Sequence, residues 1–235
     1  MKKAIRTSII AACLGFAFLG LATVQTNAPG VLREVLDRMD KYNTAITSLQ
    51  ASVTMEKYDS TLKISETSSG TASYISKKAP KAKGQMYARI NWTKPAEEQI
   101  IIIGDNYELY RPRLSQVIYG KASSAKNKAG GASNALAFMN MSRADLKTNY
   151  DVAYIGKENM SGIDVWHIQL TPKTKASYKL ADLWVDSNGA PLQAMITESN
   201  NDTTTVRLSG RKENPTLGKE TFTPSYPSGV KRIAG

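Results

Sequence analysis

The sequence has 235 residues, 41% of them hydrophobic, and carries 31 Lys or Arg against 20 Asp or Glu, a formal net charge of +11. This length and apolar content allow one compact domain with a buried core, so disorder of the whole chain is excluded. One Cys cannot form an internal disulfide and one His cannot supply a multi-histidine metal site, so we expect no disulfide, metal or cofactor. The positive charge favours an anionic partner.

The N-terminus has the pattern of a secretory signal peptide. Lys2, Lys3 and Arg6 precede an apolar stretch over 9–22, and the chain then turns polar. This stretch is shorter than the roughly 20 apolar residues that a membrane-spanning helix needs. Export therefore agrees with the pattern better than an uncleaved membrane anchor does.

Two positions fit the small residues that precede signal cleavage, and they set the predicted domain boundary. We predict a signal peptide over 1–28, cut after Ala22 or Ala28, followed by one exported domain over 29–235. Removal of three basic residues lowers the formal charge from +11 to +8. Cys13 also leaves with the peptide unless it is lipidated, which is the alternative for this residue.

Two helices are predicted in the exported domain. The first has an apolar stripe at i, i+3, i+4 and i+7, made of Leu32, Val35, Leu36 and Met39. The second begins at Ser142, because Asp145 three positions later completes a capping box. It follows a glycine-bearing segment over 121–131, predicted to be a mobile hinge, so the region around it is either a moving lid or an ordinary helix covering the sheet.

Strands account for most of the remaining chain. Short runs rich in Thr, Val, Ile and Tyr, separated by Gly, Asn and Pro, predict antiparallel strands in a large curved sheet or barrel. Turns are predicted at 68–70, at Lys94-Pro95, at 104–106 and at Asn188-Gly189. The predicted strands cover 50–58, 61–66, 70–76, 86–92, 98–104, 107–111, 116–119, 152–155, 163–171, 178–185, 192–198 and 203–210.

Neither catalysis nor nucleic-acid binding has a clear motif. His167 lies in a strand pattern without a nucleophile-elbow Ser or Cys beside it, which favours a structural role and a protein that is not an enzyme. A basic cluster could contact phosphates, but export removes most nucleic-acid partners and favours anionic lipid or an acidic protein. The cluster consists of Lys77, Lys78, Lys81 and Lys83.

A series of short motifs along the exported domain carries a family resemblance. The sequence resembles the periplasmic outer-membrane lipoprotein carrier family, LolA in its broad lipoprotein-sorting sense. The motifs are 49–54, 89–92 with Pro95, 99–106, 109–112, 116–117, 170–173, 183–186 ahead of Asn188-Gly189, 222–224 and 227–230.

The resemblance implies a fold and a function. The fold is mainly β, a single unclosed antiparallel β-barrel, or half-barrel, capped on its concave side by short helices. The implied protein is a soluble, monomeric periplasmic carrier that shields the acyl chains of lipoproteins or another lipid in a hydrophobic cavity. It would take cargo from an inner-membrane release complex to an outer-membrane acceptor, without nucleic acid or cofactor. A lipid- or lipoprotein-sensing scaffold of the same fold, acting through a protein partner, is the alternative.

Candidate lipid-binding residues are the apolar side chains of the strands and of the region just before the second helix, with Met included because its side chain adapts to varied cargo. The family's lid latch is a basic residue before a Pro, so Lys78 is the candidate latch although Lys lacks the bidentate geometry of Arg. The cavity candidates are Met86, Ile90, Trp92, Ile101, Ile103, Leu109, Ile118, Leu136, Phe138, Met139, Met141, Leu183 and Met195.

Overall fold

The structure is a computed structural model that describes residues 29–122 and 141–235. The predicted signal peptide, most of the predicted hinge, and the cavity candidates Leu136, Phe138 and Met139 lie outside the described residues. The predictions made for them stay predictions.

Two α-helices occur in the described residues. Helix α1 spans Pro29–Ala45, and its predicted stripe is confirmed because Val35, Leu36 and Met39 are at most 2% exposed. Helix α2 spans Arg143–Asn149 and begins with the predicted capping box: Ser142 Oγ accepts from the Asp145 backbone N–H at 3.1 Å. These caps satisfy backbone donors that the first helical turn otherwise leaves unpaired.

Twelve strands form one sheet in the described residues, which confirms a mainly β fold. Three short 3-10 helices, Pro80–Ala82, Pro112–Leu114 and Lys219–Phe222, lie between strands. The strands are β1 (Ser48–Asp59), β2 (Ile64–Ile75), β3 (Tyr87–Lys94), β4 (Glu98–Ile103), β5 (Asn106–Arg111), β6 (Gln116–Lys121), β7 (Tyr150–Met160), β8 (Ile163–Pro172), β9 (Tyr178–Asp186), β10 (Pro191–Glu198), β11 (Thr203–Glu213) and β12 (Lys231–Ala234).

The strand order joins two antiparallel meanders at β1. The order is β12-β6-β5-β4-β3-β2-β1-β11-β10-β9-β8-β7, so β1 pairs with both β2 and β11 near the middle of the sheet. Among the strands of the described residues, β12 alone is parallel to its neighbour, β6. The edge strands β7 and β12 do not pair with each other in the described chain, so the sheet is an open half-barrel, as predicted.

One face of the sheet, called the inner face here, packs against both helices. Its main hydrophobic cluster joins Leu36 and Met39 of α1 and Leu146 of α2 to buried side chains of β1, β3 and β7–β11. Strands far apart in the order contribute to this one cluster, with Ile90 on β3 and Ile168 on β8 among its members. The sheet therefore curves around the helices, and burial of this apolar surface is the main stabilising contribution.

The sequence prediction of a turn at 68–70 is wrong, because β2 continues through it. Gly70 lies opposite Trp92 at a register shift between Ser69 and Gly70. A Cβ at Gly70 would lie 2.1 Å from the carbonyl oxygen of Asn91. The absence of a side chain at Gly70 therefore allows the backbones of β2 and β3 to approach closely here. The predicted strands 61–66 and 70–76 are one strand, Ile64–Ile75.

The opposite face, called the outer face here, is covered over β3–β6 by the segment 214–230, named the C-terminal strap. Phe222 is fully buried on this face and packs against the ring of Tyr87, with 5.7 Å between centroids. Arg89 Nη1 donates to the carbonyl oxygen of Thr221 at 2.8 Å. Tyr226 donates to Glu108 Oε2 at 2.7 Å. The strap leads to β12, which the sequence analysis did not predict.

Candidate functional site

A row of directly opposed apolar side chains crosses the inner face from β2 to β12. Residues that are directly paired across neighbouring strands lie on the same face of a sheet, so the strand registers define the row. We call it the apolar row: Ala72 opposes Ile90, Ile90 opposes Ile100, Ile100 opposes Leu109, Leu109 opposes Ile118, and Ile118 pairs with Ile233.

Ile90 is the one member of the row that is buried, and Ala72 at the β2 end is half-buried. Ile90 is 9% exposed and belongs to the main core cluster, whereas Ile100, Leu109, Ile118 and Ile233 are half-buried. Five inter-strand steps give the row a length of about 24 Å. This exceeds the depth of one bilayer leaflet, about half of the roughly 30 Å hydrocarbon core. The row is thus long enough and apolar enough to lie along an acyl chain.

A charged pair bounds this surface at one end of the strands. Arg111 Nε lies 3.0 Å from Glu98 Oε1, and both residues share the face of the apolar row. Trp92, 8% exposed, stands directly opposite Glu98. The pair is partly exposed, which agrees with a polar margin beside an apolar surface.

Five predicted cavity residues lie on the inner face. Ile90, Leu109 and Ile118 are members of the apolar row, and Trp92 lies two residues from Ile90 on the same strand. Leu183 also lies on this face, but it is fully buried in the cluster that α1 covers.

Three other cavity candidates lie on the outer face and share no surface with the row. Ile101 is 2% exposed, and Ile103 packs with the cluster that contains Phe222. Met195 packs with Trp184 on the outer side of the other half of the sheet. The sequence did not separate the faces because 100–103 is four consecutive isoleucines, in which no polar residue marks the alternation.

The two remaining methionine candidates lie outside the apolar row. Met86 is half-buried and directly precedes β3. Met141 is half-buried, packs against the main core, and accepts a hydrogen bond through its carbonyl oxygen from Asn43 Nδ2 at 2.9 Å.

The sequence analysis missed Ala72, Ile100 and Ile233, which complete the apolar row. The alternation of apolar and polar residues along a single strand does not identify these three residues. What they share is that they pair, directly or through other members of the row, across neighbouring strands. The run of 100–103 was noticed, but Ile101 and Ile103 were chosen rather than Ile100. No sequence pattern predicted the strand that contains Ile233, since β12 is only four residues long and begins with two charged residues.

Lys78, the latch candidate, lies on the loop between β2 and β3. Its backbone N–H donates to Ser76 Oγ at 3.3 Å, and no side-chain hydrogen bond or ion pair of Lys78 occurs among the described residues. Another lysine of the basic cluster, Lys81, donates through Nζ to the carbonyl oxygen of Leu217 and so holds the C-terminal strap. The latch role of Lys78 stays a prediction.

His167 lies on the outer face, in contact with two carboxylates. Nδ1 is 2.7 Å from Glu158 Oε1 and Nε2 is 2.8 Å from Asp182 Oδ1, and the imidazole stacks on Trp184. Burial lowers the pKa of His167, but the hydrogen bonds and charges of Asp182 and Glu158 outweigh it and raise the pKa above its usual value. Such an arrangement stabilises the imidazolium and occupies both ring nitrogens, which suits a structural role.

A second concave surface of the described chain is polar rather than apolar. An open depression of about 590 Å³ lies between α1 and the β9–β10 turn, but charged side chains such as Arg33 and Asp37 line it, so it suits no acyl chain.

Within 29–122 and 141–235, no cluster of three or more His, Cys, Asp or Glu could hold a metal ion. Neither helix of these two ranges is long and apolar enough to cross a membrane.

Comparison with protein families identifies the fold family. The family model described as outer membrane lipoprotein carrier protein LolA matches residues 72–225, more than half of the chain. The chain belongs to the LolA family. The matched range begins at the first residue of the apolar row and includes every member except Ile233, so most of the candidate site lies within the LolA match. Curated protein sequences gave no match.

Solved structures show the same fold at low sequence identity. An uncharacterized conserved protein from Thermus thermophilus has 14% identity and a TM-score of 0.55, with 87% of this chain and 99% of that chain covered. MucB has 13% identity and a TM-score of 0.54, with 83% of this chain and 63% of MucB covered. The Pseudomonas aeruginosa MucA/MucB complex gives a sequence identity of 12% and a TM-score of 0.50, with 82% of this chain and 60% of the matched chain covered. These likenesses concern the LolA-like fold alone.

Proposed function

We propose that this LolA-family chain is an exported, soluble periplasmic carrier that shields acyl chains of lipoproteins, or of another lipid, on the inner face of its sheet. The observation that carries the proposal is the apolar row, in particular the half-buried Ile100, Leu109 and Ile118. Each methylene that leaves water contributes roughly 0.8 kcal/mol, so such a surface favours acyl chains without any catalytic group.

The two faces of β3–β6 support this assignment by contrast. The C-terminal strap already occupies the outer face, where Phe222 is fully buried and Ile101 is 2% exposed. On the inner face of β4–β6, the described residues leave the apolar row half-buried. Lipid is therefore assigned to the inner face.

The polar margin fits an amphiphilic cargo. Arg111 and Glu98 lie two residues along β5 and β4 from Leu109 and Ile100 of the row, so a polar group of the cargo beside the row would meet charge and water there. Nucleophilic catalysis has no such support, because His167 is held by two carboxylates on the outer face. We therefore propose a carrier that is not an enzyme, works as a monomer and needs no cofactor.

The family description supports the proposed direction of transport. LolA is described as an outer membrane lipoprotein carrier protein, so an inner-membrane release complex and an outer-membrane acceptor are the proposed partners. The second candidate, a sensing scaffold, is favoured by the MucA/MucB complex, in which a protein of similar fold binds a protein partner. A stable protein partner together with absence of extractable lipid would favour that candidate.

The test is displacement of an environment-sensitive fluorescent probe from the protein spanning residues 29–235. We expect the folded protein to bind the probe and to release it when a diacylated peptide, but not its unacylated form, is added. Leu109→Asp and Ile118→Asp should each weaken probe binding about tenfold or more, because a carboxylate on the apolar row opposes burial of apolar ligand.

Ile163→Asp serves as the matched control, since Ile163 is an aliphatic strand residue that is 49% exposed and lies outside the row. It should leave probe binding unchanged. Probe binding that survives both Leu109→Asp and Ile118→Asp in folded protein would contradict the proposed site. Mass spectrometry of lipid that co-purifies from the periplasm would then separate lipoprotein from free-lipid cargo.

A further inference from the structure

We infer that the corner of the sheet formed by the β5–β6 turn and the first residues of β12 is a docking surface for an anionic lipid membrane. This docking corner consists of Arg113, Leu114 and Lys231. The inference deepens the proposed function and rests on it for its purpose, because it names the surface with which the carrier would exchange lipid.

Leu114 is presented to solvent by an ordered turn. It is 62% exposed and ends the short helix Pro112–Leu114. Ser115 follows in the left-handed conformation, and its N–H donates to the carbonyl oxygen of Pro112 at 2.9 Å. Burying an exposed leucine in an apolar phase is favourable, and a turn that already holds it outward needs little ordering on contact.

Two unpaired cations flank Leu114. Arg113 precedes it, and the backbone N–H of Lys231 donates to the carbonyl oxygen of Ser115 at 2.9 Å, which brings β12 beside the turn. Both residues are exposed, and no ion pair to either occurs in the described part of the chain. Basic residues at a surface attract anionic lipid head groups.

The acidic residues of strands β4 and β5, next to the corner, are bound to other arginines, whereas Glu97 in the β3–β4 turn at the same end of the sheet is exposed. Glu98 is paired with Arg111, and Glu108 accepts from Arg232 at 2.6 Å and from Tyr226. The corner therefore presents positive charge around an exposed aliphatic side chain. This combination complements an anionic bilayer and is unsuited to a neutral, purely polar partner.

The corner also adjoins the candidate lipid site. Leu109 and Ile118 of the apolar row lie on the two strands that the turn joins, and Arg111 lies between Leu109 and the turn. From Leu109 to the turn is three residues, or about 10 Å along an extended strand. Lipid could pass between a docked membrane and the row without crossing the helix-covered half of the sheet.

The chain provides a matched control for the leucine. Leu62 at the β1–β2 turn is 65% exposed and lies at the same end of the sheet, since β1 and β5 run in the same direction. Unlike the docking corner, this turn has a carboxylate beside its leucine: Asp59 Oδ1 accepts from the Leu62 N–H at 2.7 Å. For charge, Lys157 is an exposed lysine on β7, at the opposite edge of the sheet from β12.

The test is co-sedimentation of the protein spanning residues 29–235 with vesicles. We expect binding to phosphatidylcholine vesicles that contain about one third phosphatidylglycerol, and little binding to phosphatidylcholine alone. Arg113→Glu, Lys231→Glu and Leu114→Asp should each reduce binding about tenfold or more, and added salt should weaken wild-type binding. Leu62→Asp and Lys157→Glu should bind as the wild type does.

Several outcomes would overturn the docking corner. These are failure of the wild type to bind anionic vesicles, equal binding to both vesicle types, or equal losses in the corner and control variants. The corner variants should keep wild-type affinity for the fluorescent probe in the absence of vesicles. Corner variants that lose vesicle binding but keep probe binding would support the docking corner. A wild-type protein that binds vesicles but no probe would refute the carrier function and leave the docking corner standing.

Discussion

His167 Nε2 lies 2.8 Å from Asp182 Oδ1, and Asp182 is one of the few buried carboxylates of the described chain, with a side chain that is 3% exposed. Glu158, on edge strand β7, contacts the other imidazole nitrogen at 2.7 Å and accepts from Trp184 Nε1. The cluster therefore links β7, β8 and β9 through side chains on the outer face, in addition to their backbone pairing.

This cluster predicts a loss of stability with rising pH. The carboxylates raise the folded-state pKa of His167, so its charged form favours folding. That contribution is fully present below the unfolded value of about 6.5 and is lost as the pH rises through the folded-state pKa. Urea unfolding should show that the free-energy difference between wild type and His167→Gln shrinks from pH 6 towards pH 8. A difference that grows over this range would contradict the prediction.

The two carboxylates should contribute unequally to the pKa of His167. Asp182 has the larger effect among the two partners that raise it, and Asp182 is buried while the Glu158 side chain is 44% exposed. Asp182→Asn should therefore lower the pKa more than Glu158→Gln. Since the chain has one His, a single imidazole resonance reports the titration by NMR. A larger drop in Glu158→Gln would show that the exposed partner dominates.

Gly70 should tolerate no side chain. A Cβ there would meet the Asn91 carbonyl oxygen at 2.1 Å and Trp92 Cα at 2.9 Å, so backbone must move. Gly70→Ala is expected to reduce the free energy of unfolding by about 1–3 kcal/mol. The control is Gly156→Ala, because nothing lies within 4 Å of that Cβ position; it should stay within about 0.5 kcal/mol of wild type by urea unfolding. Similar losses in both variants would argue against the close approach.

Phe222 should anchor the C-terminal strap to the outer face. Its side chain is fully buried against Tyr87, so Phe222→Ala should cost about 3–5 kcal/mol, while Phe222→Leu keeps more of the volume and should cost less. Hydrogen exchange should increase over 214–234 in Phe222→Ala before it increases in β8–β10. Unchanged exchange in the strap would mean that Phe222 does not anchor it.

Much of the fold could be predicted from local patterns. The stripe of α1, the capping box of α2 and the glycine turn at Asn188-Gly189 each depend on residues close in sequence, and Gly189 indeed has a φ of +88°. The existence of a curved antiparallel sheet followed from strand spacing. The family resemblance predicted the open half-barrel.

The site depended on relationships that a local pattern does not contain. Which face of β4 points inward is decided by the position of α1 and of the C-terminal strap, both distant in sequence. Gly70 was interpreted as a turn residue because glycine is typical of both turns and close backbone contacts. The short β12 forms only because β6 offers a free edge beside it, and its own sequence carries too little strand signal.

The path of the C-terminal strap has a mechanical consequence. The strap begins where β11 ends, beside β1 at the middle of the sheet, and it ends at β12, which is hydrogen-bonded to β6. Because Phe222 and Tyr226 fasten it to the intervening strands, it acts as a tie across the convex side and resists flattening of the curve. In the proposed carrier, side-chain rotamers along the concave side would accommodate cargo of different bulk, with the curvature of β3–β6 held constant.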